Sequence, residues 1–395
     1  MIPMKKICVL GNFSGRNAGD AAILGGLLED VSSRYPDTLF TVPTINTGFV
    51  RRAFSRYRVK PVSLMPWNLS LKILGLPVFT STLGADLILV TDAILFERRL
   101  YDPTHNYLST LAFVLPFARR RGVPLVLYNM SLGPVKTPRG EWLLTRVLRS
   151  ADLVITRDAD SHDLARRLGP FDEKLRLGAD CALNVVPSDD RRLGEIMRRE
   201  GILSGPRPTV GFNINSYIDA DIVPPGGKGI DRGLFLGAVK AAIDRTVDEF
   251  GVDVLLVVTQ PMDMEITREL MRSLARPERV RIISNRDYSH NDLAKVLSRL
   301  EMLVALRTHS LILASASGTP VGCVVSYPKN RGYIRSIDMG DQLLEFGDFS
   351  AETYWGLVER TWRRRAGLRE RLLPSIAREK EKARRSAELL APFLA

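Results

Sequence analysis

At 395 residues the chain exceeds what one hydrophobic core ordinarily organises, so two domains are expected. Its 45% apolar and 25% charged residues exclude a largely disordered chain, and no uninterrupted apolar run reaches the ~18 residues of a membrane-spanning helix. The formal net charge is +12, of which +7 falls between Glu359 and Arg385, where eleven basic residues face four acids. Cys8, Cys181 and Cys323 are too few and too widely spaced for a disulfide framework or a zinc knuckle. The run after Lys6 is too short for a signal-peptide core, and a reducing cytoplasm is the expected setting.

A short apolar strand at 6–10 runs into GNFSGRNAGD at 11–20 and then into a helical pattern at 21–35. The glycines recur every fourth residue, so this is neither the dinucleotide fingerprint nor a phosphate loop with its lysine. They allow the backbone to turn tightly near a ligand, and Asp20 is expected as the helix N-cap. Further strands are predicted at 86–90, ending in Thr91-Asp92-Ala93, at 123–129, and at 152–155, ending in Thr156-Arg157-Asp158. Helices are predicted at 140–149 and 161–168. The polar, breaker-rich stretch 187–208 reads as the boundary between domains at 1–190 and 205–345.

The second domain repeats the alternation, with strands at 209–214, 254–258, 280–283, 302–306 and 321–325 and helices at 234–250, 266–274, 291–297 and 311–317. A flexible loop at 224–229 carries Lys228. Basic helices close the chain over 350–395. Such alternation predicts parallel sheets covered by helices on both faces, in two domains that face one another across a cleft.

The most informative stretch is LRTHSLILASASGTPV at 306–321. Arg307, Thr308 and His309 stand at a strand's carboxyl end, where open α/β sheets bind ligands, and a helix start there favours an anion. Arg307 offers a planar fork to a carboxylate or phosphate, and His309 can carry a proton near neutral pH. Arg157 is placed after its strand as Arg307 is. The four histidines, His105, His162, His290 and His309, show no metal-ligand spacing.

Taken together, GNFSGRNAGDAAIL, SLGPVKTPRGEWLLTRVLRSADLVITRDADS, GADCAL and LRTHSLILASASGTPV followed by SYPKNRGY resemble the polysaccharide pyruvyl transferase family over most of the chain. The resemblance implies two Rossmann-like domains of the glycosyltransferase-B type facing a central cleft, with phosphoenolpyruvate as donor, no separate cofactor, and a sugar bearing a pyruvate ketal as product. It implies that Arg307 binds the donor and His309 supplies the acid, with Arg157 as a second anion ligand; Thr308 between the pair, and basic Lys329 beside Arg331, are further candidates for contact with the donor. Asn17, Gly19 and Asp20 are implied on the acceptor side. Asp20 or Asp92 could take a hydroxyl proton, although Asp92 suits a turn better. The chain departs from the family's glycine run at Val90-Thr91-Asp92-Ala93.

The implied partners are phosphoenolpyruvate and a saccharide, which a lipid could carry; no nucleic-acid motif accompanies the basic tail. Two rivals are a nucleotide-sugar glycosyltransferase of the same fold and a non-catalytic protein that meets anionic membrane through its basic terminal helices. The first predicts a glutamate pair eight residues apart, and Glu265, Glu269, Glu301 and Glu345 have no such partner. The second draws on Trp362, Leu368, Leu372 and Leu373 among the terminal cations.

Overall fold

The computed structural model describes residues 4–64, 76–92, 95–97, 107–216 and 230–394. The loop at 224–229 with Lys228, Ala93 and His105 lie outside the described residues. The chain divides into two compact units, one of Met1–Gly15, Asp20–Asn184 and Glu379–Ala395, the other of Arg16–Gly19 and Val185–Arg378.

In the first unit, Lys5–Leu10 (β1), Thr38–Thr44 (β2), Val59–Ser63 (β3), Leu87–Val90 (β4), Leu125–Met130 (β5), Leu153–Thr156 (β6) and Leu175–Leu177 (β7) form one sheet, ordered β3-β2-β1-β4-β5-β6-β7. Every pairing is parallel, with Ile7 beside Leu87 and Val154 beside Leu127. The central strands LILV, LVLYNM and LVIT are buried throughout, as strands covered on both faces must be.

In the second unit, Thr209–Asn213 (β8), Asp253–Val258 (β9), Val280–Ser284 (β10), Met302–Ala305 (β11), Val321–Val325 (β12) and Leu343–Glu345 (β13) form a parallel sheet ordered β10-β9-β8-β11-β12-β13. In each sheet the strand order reverses once, between β1 and β4 and between β8 and β11. The loops leaving those strands diverge, and ligands of doubly wound sheets bind there.

Several elements differ from the sequence reading. The stretch 187–208 is not merely a link, because Asp190–Glu200 is a helix, capped by the Asp189 side chain and ended by left-handed Gly201. Only Leu193 and Ile196 are buried on it, a stripe too narrow to stand out among its charges. Asp20 is not the N-cap of its helix, which runs from Ala18 to Arg34; Asn17 Oδ1 accepts from Gly19 N at 2.8 Å instead. The helix after β11 likewise starts earlier, at Thr308, and places His309 in its first turn.

Ala351–Glu388 is a single helix, contributing to the second unit through Arg378 and to the first from Glu379 on. Its apolar residues face the core: Trp362 stacks on Phe250 with centroids 5.0 Å apart, and Leu368 and Leu372 are buried. Arg363 pairs with Glu359, Arg364 and Arg371 with Asp341, Arg365 with Glu301, and Arg378 with Asp338. The apolar stripe that suggested a membrane-facing tail is thus committed to packing, apart from exposed Leu373. No helix among the described residues is long and apolar enough to cross a membrane, and all three cysteines are free and buried.

Candidate active site

The second unit gathers its polar side chains at the switch between β8 and β11. Arg307 follows β11, and its backbone N–H donates to Asn213 Oδ1, at the end of β8, at 2.9 Å. Asn213 Nδ2 in turn donates to Val257 O on β9 at 2.9 Å, so one buried amide ties three strand ends. The Arg307 guanidinium grips Asp263 through Nε and Nη2 at 2.8 and 2.7 Å. Asp263 is fully buried and also accepts from Ser216 N and Oγ at 2.9 and 3.0 Å. A bidentate pair of this kind fixes the plane of the fork as well as its place.

Thr308 Oγ1 donates to Asn330 Oδ1, while buried Asn330 donates through Nδ2 to Leu306 O at 2.7 Å. Ser310 shares a hydrogen bond with Thr259, the residue after β9, at 3.2 Å. Lys329 opens the helix Pro328–Ser336 and holds its ammonium 5.7 Å from the Tyr327 ring centre.

The segment Arg16–Gly19 completes this unit. Ala18 N donates to Thr259 O at 2.9 Å, and Asn285 Nδ2 donates to Arg16 O at 3.2 Å. Gly19 lies directly on the His309 ring: a Cβ at position 19 would fall 2.2 Å from Nδ1 and 2.3 Å from Cγ. The third glycine of the N-terminal loop is therefore demanded by an imidazole encoded almost 300 residues later. Gly15, at φ +78, is required by its own backbone and by Phe49, whose ring a Cβ would meet at 2.6 Å.

The first unit holds a second arginine of similar pattern. Arg157 Nη1 lies 2.7 Å from Asp180 Oδ2, with side chains only 6% and 4% exposed, and Arg157 Nε lies 4.0 Å from Asp158. Burial works against its charge, but Asp180, Asp158 and Asp92 outweigh it and hold the pKa above the ordinary arginine value. Asp92 is buried, with a left-handed φ of 83°. Asp20 is buried in the first turn of its helix, in this unit.

The structure thus brings Arg307, Thr308, His309, Asn17 and Gly19 into one unit, and Asp20, Asp92 and Arg157 into the other. Sequence reasoning missed Asp263, Asn213 and Asn330. Of these only Asn213, a polar residue ending a buried strand at the switch point, carried a readable signal. Among the described residues no group of three or more histidine, cysteine or acidic side chains could hold a metal ion.

Two doubly wound parallel units define a fold of the glycosyltransferase-B type. The structure is similar to that of Anabaena HepE in complex with UDP-glucose, with 14% identity, 98% of this chain and 99% of that chain covered, and a TM-score of 0.64. It is similar to UDP-GlcNAc 2-epimerase from Neisseria meningitidis bound to UDP-GlcNAc, with 12% identity, 99% of each chain covered, and a TM-score of 0.62. E. coli ADP-heptose LPS heptosyltransferase II shares 13% identity over 91% of this chain and 99% of that one, with a TM-score of 0.52. These likenesses concern the fold. The model of the polysaccharide pyruvyl transferase family matches residues 17–327, and the chain belongs to that family of transferases.

Proposed function

We propose that the protein moves the pyruvyl group of phosphoenolpyruvate onto two hydroxyls of a saccharide, forming a cyclic ketal and releasing phosphate. The observation that carries this reading is the fixed trio of Arg307, His309 and Gly19 in a chain of this family. Asp263 holds one edge of the Arg307 fork, and the guanidinium and the helix start at Thr308 suit a donor bearing both carboxylate and phosphate.

His309 gives a proton to the methylene carbon of the donor, and the adjoining carbon becomes cationic. One sugar hydroxyl adds to it, the C–O bond to phosphate breaks, and the second hydroxyl closes the ring. The methylene gains one proton and the diol loses two, the second leaving with phosphate. General acid catalysis of this kind contributes ~10² to 10⁴-fold. The donor is already activated, so no further cofactor is needed, and its metabolic origin goes with a cytoplasmic protein. Lys329 serves the donor-side unit; Asn17, expected on the acceptor side, falls in that unit too, and Asp20, in the first unit, is the candidate base for the acceptor. We read Arg157 as part of the architecture of the first unit, because it is sealed against Asp180, and Asp92 as a buried turn residue with a left-handed backbone.

A second reading follows from the neighbours complexed with UDP-sugars: transfer from a nucleotide sugar. Thermal shift separates the two, since a ligand that binds the native state raises Tm by mass action. Phosphoenolpyruvate is expected to raise Tm in wild type and not in Arg307→Ala, with phosphate released on adding a saccharide acceptor. A shift with UDP-glucose and none with phosphoenolpyruvate would overturn the ketal reading.

A further inference from the structure

The first unit carries an exposed aromatic and basic surface that plays no part in the chemistry above. It is built by the helices Leu108–Arg120 and Pro138–Ser150. Phe113 and Phe117, one turn apart, are 47% and 50% exposed, and Trp142 on the neighbouring helix is 52% exposed. Arg146 joins them: its guanidinium lies 5.7 Å from both the Phe113 and the Trp142 ring centres, and its Nε donates to Ala112 O at 2.6 Å. Arg120 lies 5.7 Å from the Phe117 ring, and Arg119 donates to Arg149 O at 2.7 Å across the two helices. The surface is therefore continuous.

Its charge is one-sided. Residues 108–121 and 138–150 contain Arg119, Arg120, Arg121, Arg139, Arg146 and Arg149 against Glu141 alone. Three large rings left half in water are costly in an isolated protein, and such patches mark interaction sites. Arginine stems lie along apolar surface while their heads stay wet, and tryptophan suits the boundary between headgroups and acyl chains. We infer that this surface docks on a bilayer containing anionic phospholipid, with the rings at the headgroup level and the arginines on lipid phosphates. The site differs from the terminal helix, where Leu368 and Leu372 are buried and Leu373 stands exposed without a neighbouring ring on the helix. It does not depend on which donor the enzyme uses.

The test is co-sedimentation of the full chain with vesicles of phosphatidylcholine containing phosphatidylglycerol, against phosphatidylcholine alone. Wild type is expected to sediment with the anionic vesicles only, and less as salt rises. Phe117→Ser combined with Trp142→Ser, both on exposed rings, is expected to keep Tm and lose at least about tenfold in binding. Arg363→Glu with Arg385→Glu, on the terminal helix, is expected to bind as wild type does. The inference is overturned if wild type ignores anionic vesicles at low salt, or if the ring variant binds unchanged. It is also overturned if the terminal variant is the one that loses binding. A wild-type dimer that the ring variant dissociates, without vesicle binding, would assign the surface to a second copy instead.

Discussion

Arg157 and Arg307 begin from one sequence pattern, an arginine just past a buried strand, and end in different chemistry. Each is held by a buried aspartate from a distant stretch of chain. Arg157 and Asp180 are sealed together, at 6% and 4% exposure, whereas Arg307 keeps 14% beside fully buried Asp263. The second pair therefore has one end in the protein and one within reach of water. It is also backed by Ser216 and Asn213, and His309 stands two residues on. A buried ion pair is weak evidence for net stability, yet removing one partner strands the other charge. The comparison teaches that one sequence pattern yields two environments, an arginine sealed with its aspartate and an arginine held from below with part of its fork open to water.

The largest effect is expected at His309, the group that most separates the two units. His309→Ala should lower kcat by about 10² to 10⁴-fold while the phosphoenolpyruvate-dependent rise in Tm persists, as for loss of a general acid. Loss of the thermal shift with kcat retained would make His309 a binding residue and dissolve the contrast.

Arg157→Leu should cost about 3–5 kcal/mol, read as a marked fall in Tm, because Asp180 is left charged and buried. Arg307→Leu should cost less stability and more donor binding, since Ser216 still donates to Asp263. If Arg157→Leu keeps its Tm and loses the phosphoenolpyruvate shift, the two arginines are equivalent after all.

Gly19→Ala tests the loop that reaches the second unit. The new methyl displaces the His309 ring, and a misplacement of about 1 Å can cost roughly 10²-fold in rate. In a His309→Ala background the further loss should vanish, because the two changes act through one ring. Additive losses in kcat would mean that Gly19 matters for something other than the imidazole.

Much of this architecture is legible in the sequence, for reasons specific to particular elements. Strands such as LILV at 87–90 and MLVA at 302–305 are apolar throughout because both faces are covered, and short apolar runs between breakers stand out. The rim strand β3 has no buried residue, and the helix Asp190–Glu200 hides two buried residues among charges, so neither shows. At the candidate site, the position of Arg307 and His309 just after β11 was readable. Asp263 was not, because its partnership is made 44 residues away and only in the folded chain.

The smallest expected effect concerns a third buried aspartate, which has an amide where the other two have a guanidinium. Asp30 accepts from Asn184 Nδ2 at 2.9 and 3.0 Å, and the same amide donates to Lys380 O at 3.1 Å on the terminal helix. Burial pushes its pKa up to about 7; Asn184 and Arg384 pull it down, and Glu29 and Glu381 push it up. The folded chain therefore binds a proton that the unfolded chain has lost, so stability is highest below the ordinary carboxylate pKa and falls as pH rises from about 4 to 7. At ~1.4 kcal/mol per pH unit the fall is at most about 4 kcal/mol. Asp30→Asn should remove this slope and unfold later than wild type at pH 8, as read from Tm against pH. An unchanged slope in the variant would mean that Asp30 is held ionised as a guanidinium-paired aspartate would be, and that an amide partner suffices where Asp180 and Asp263 have arginines.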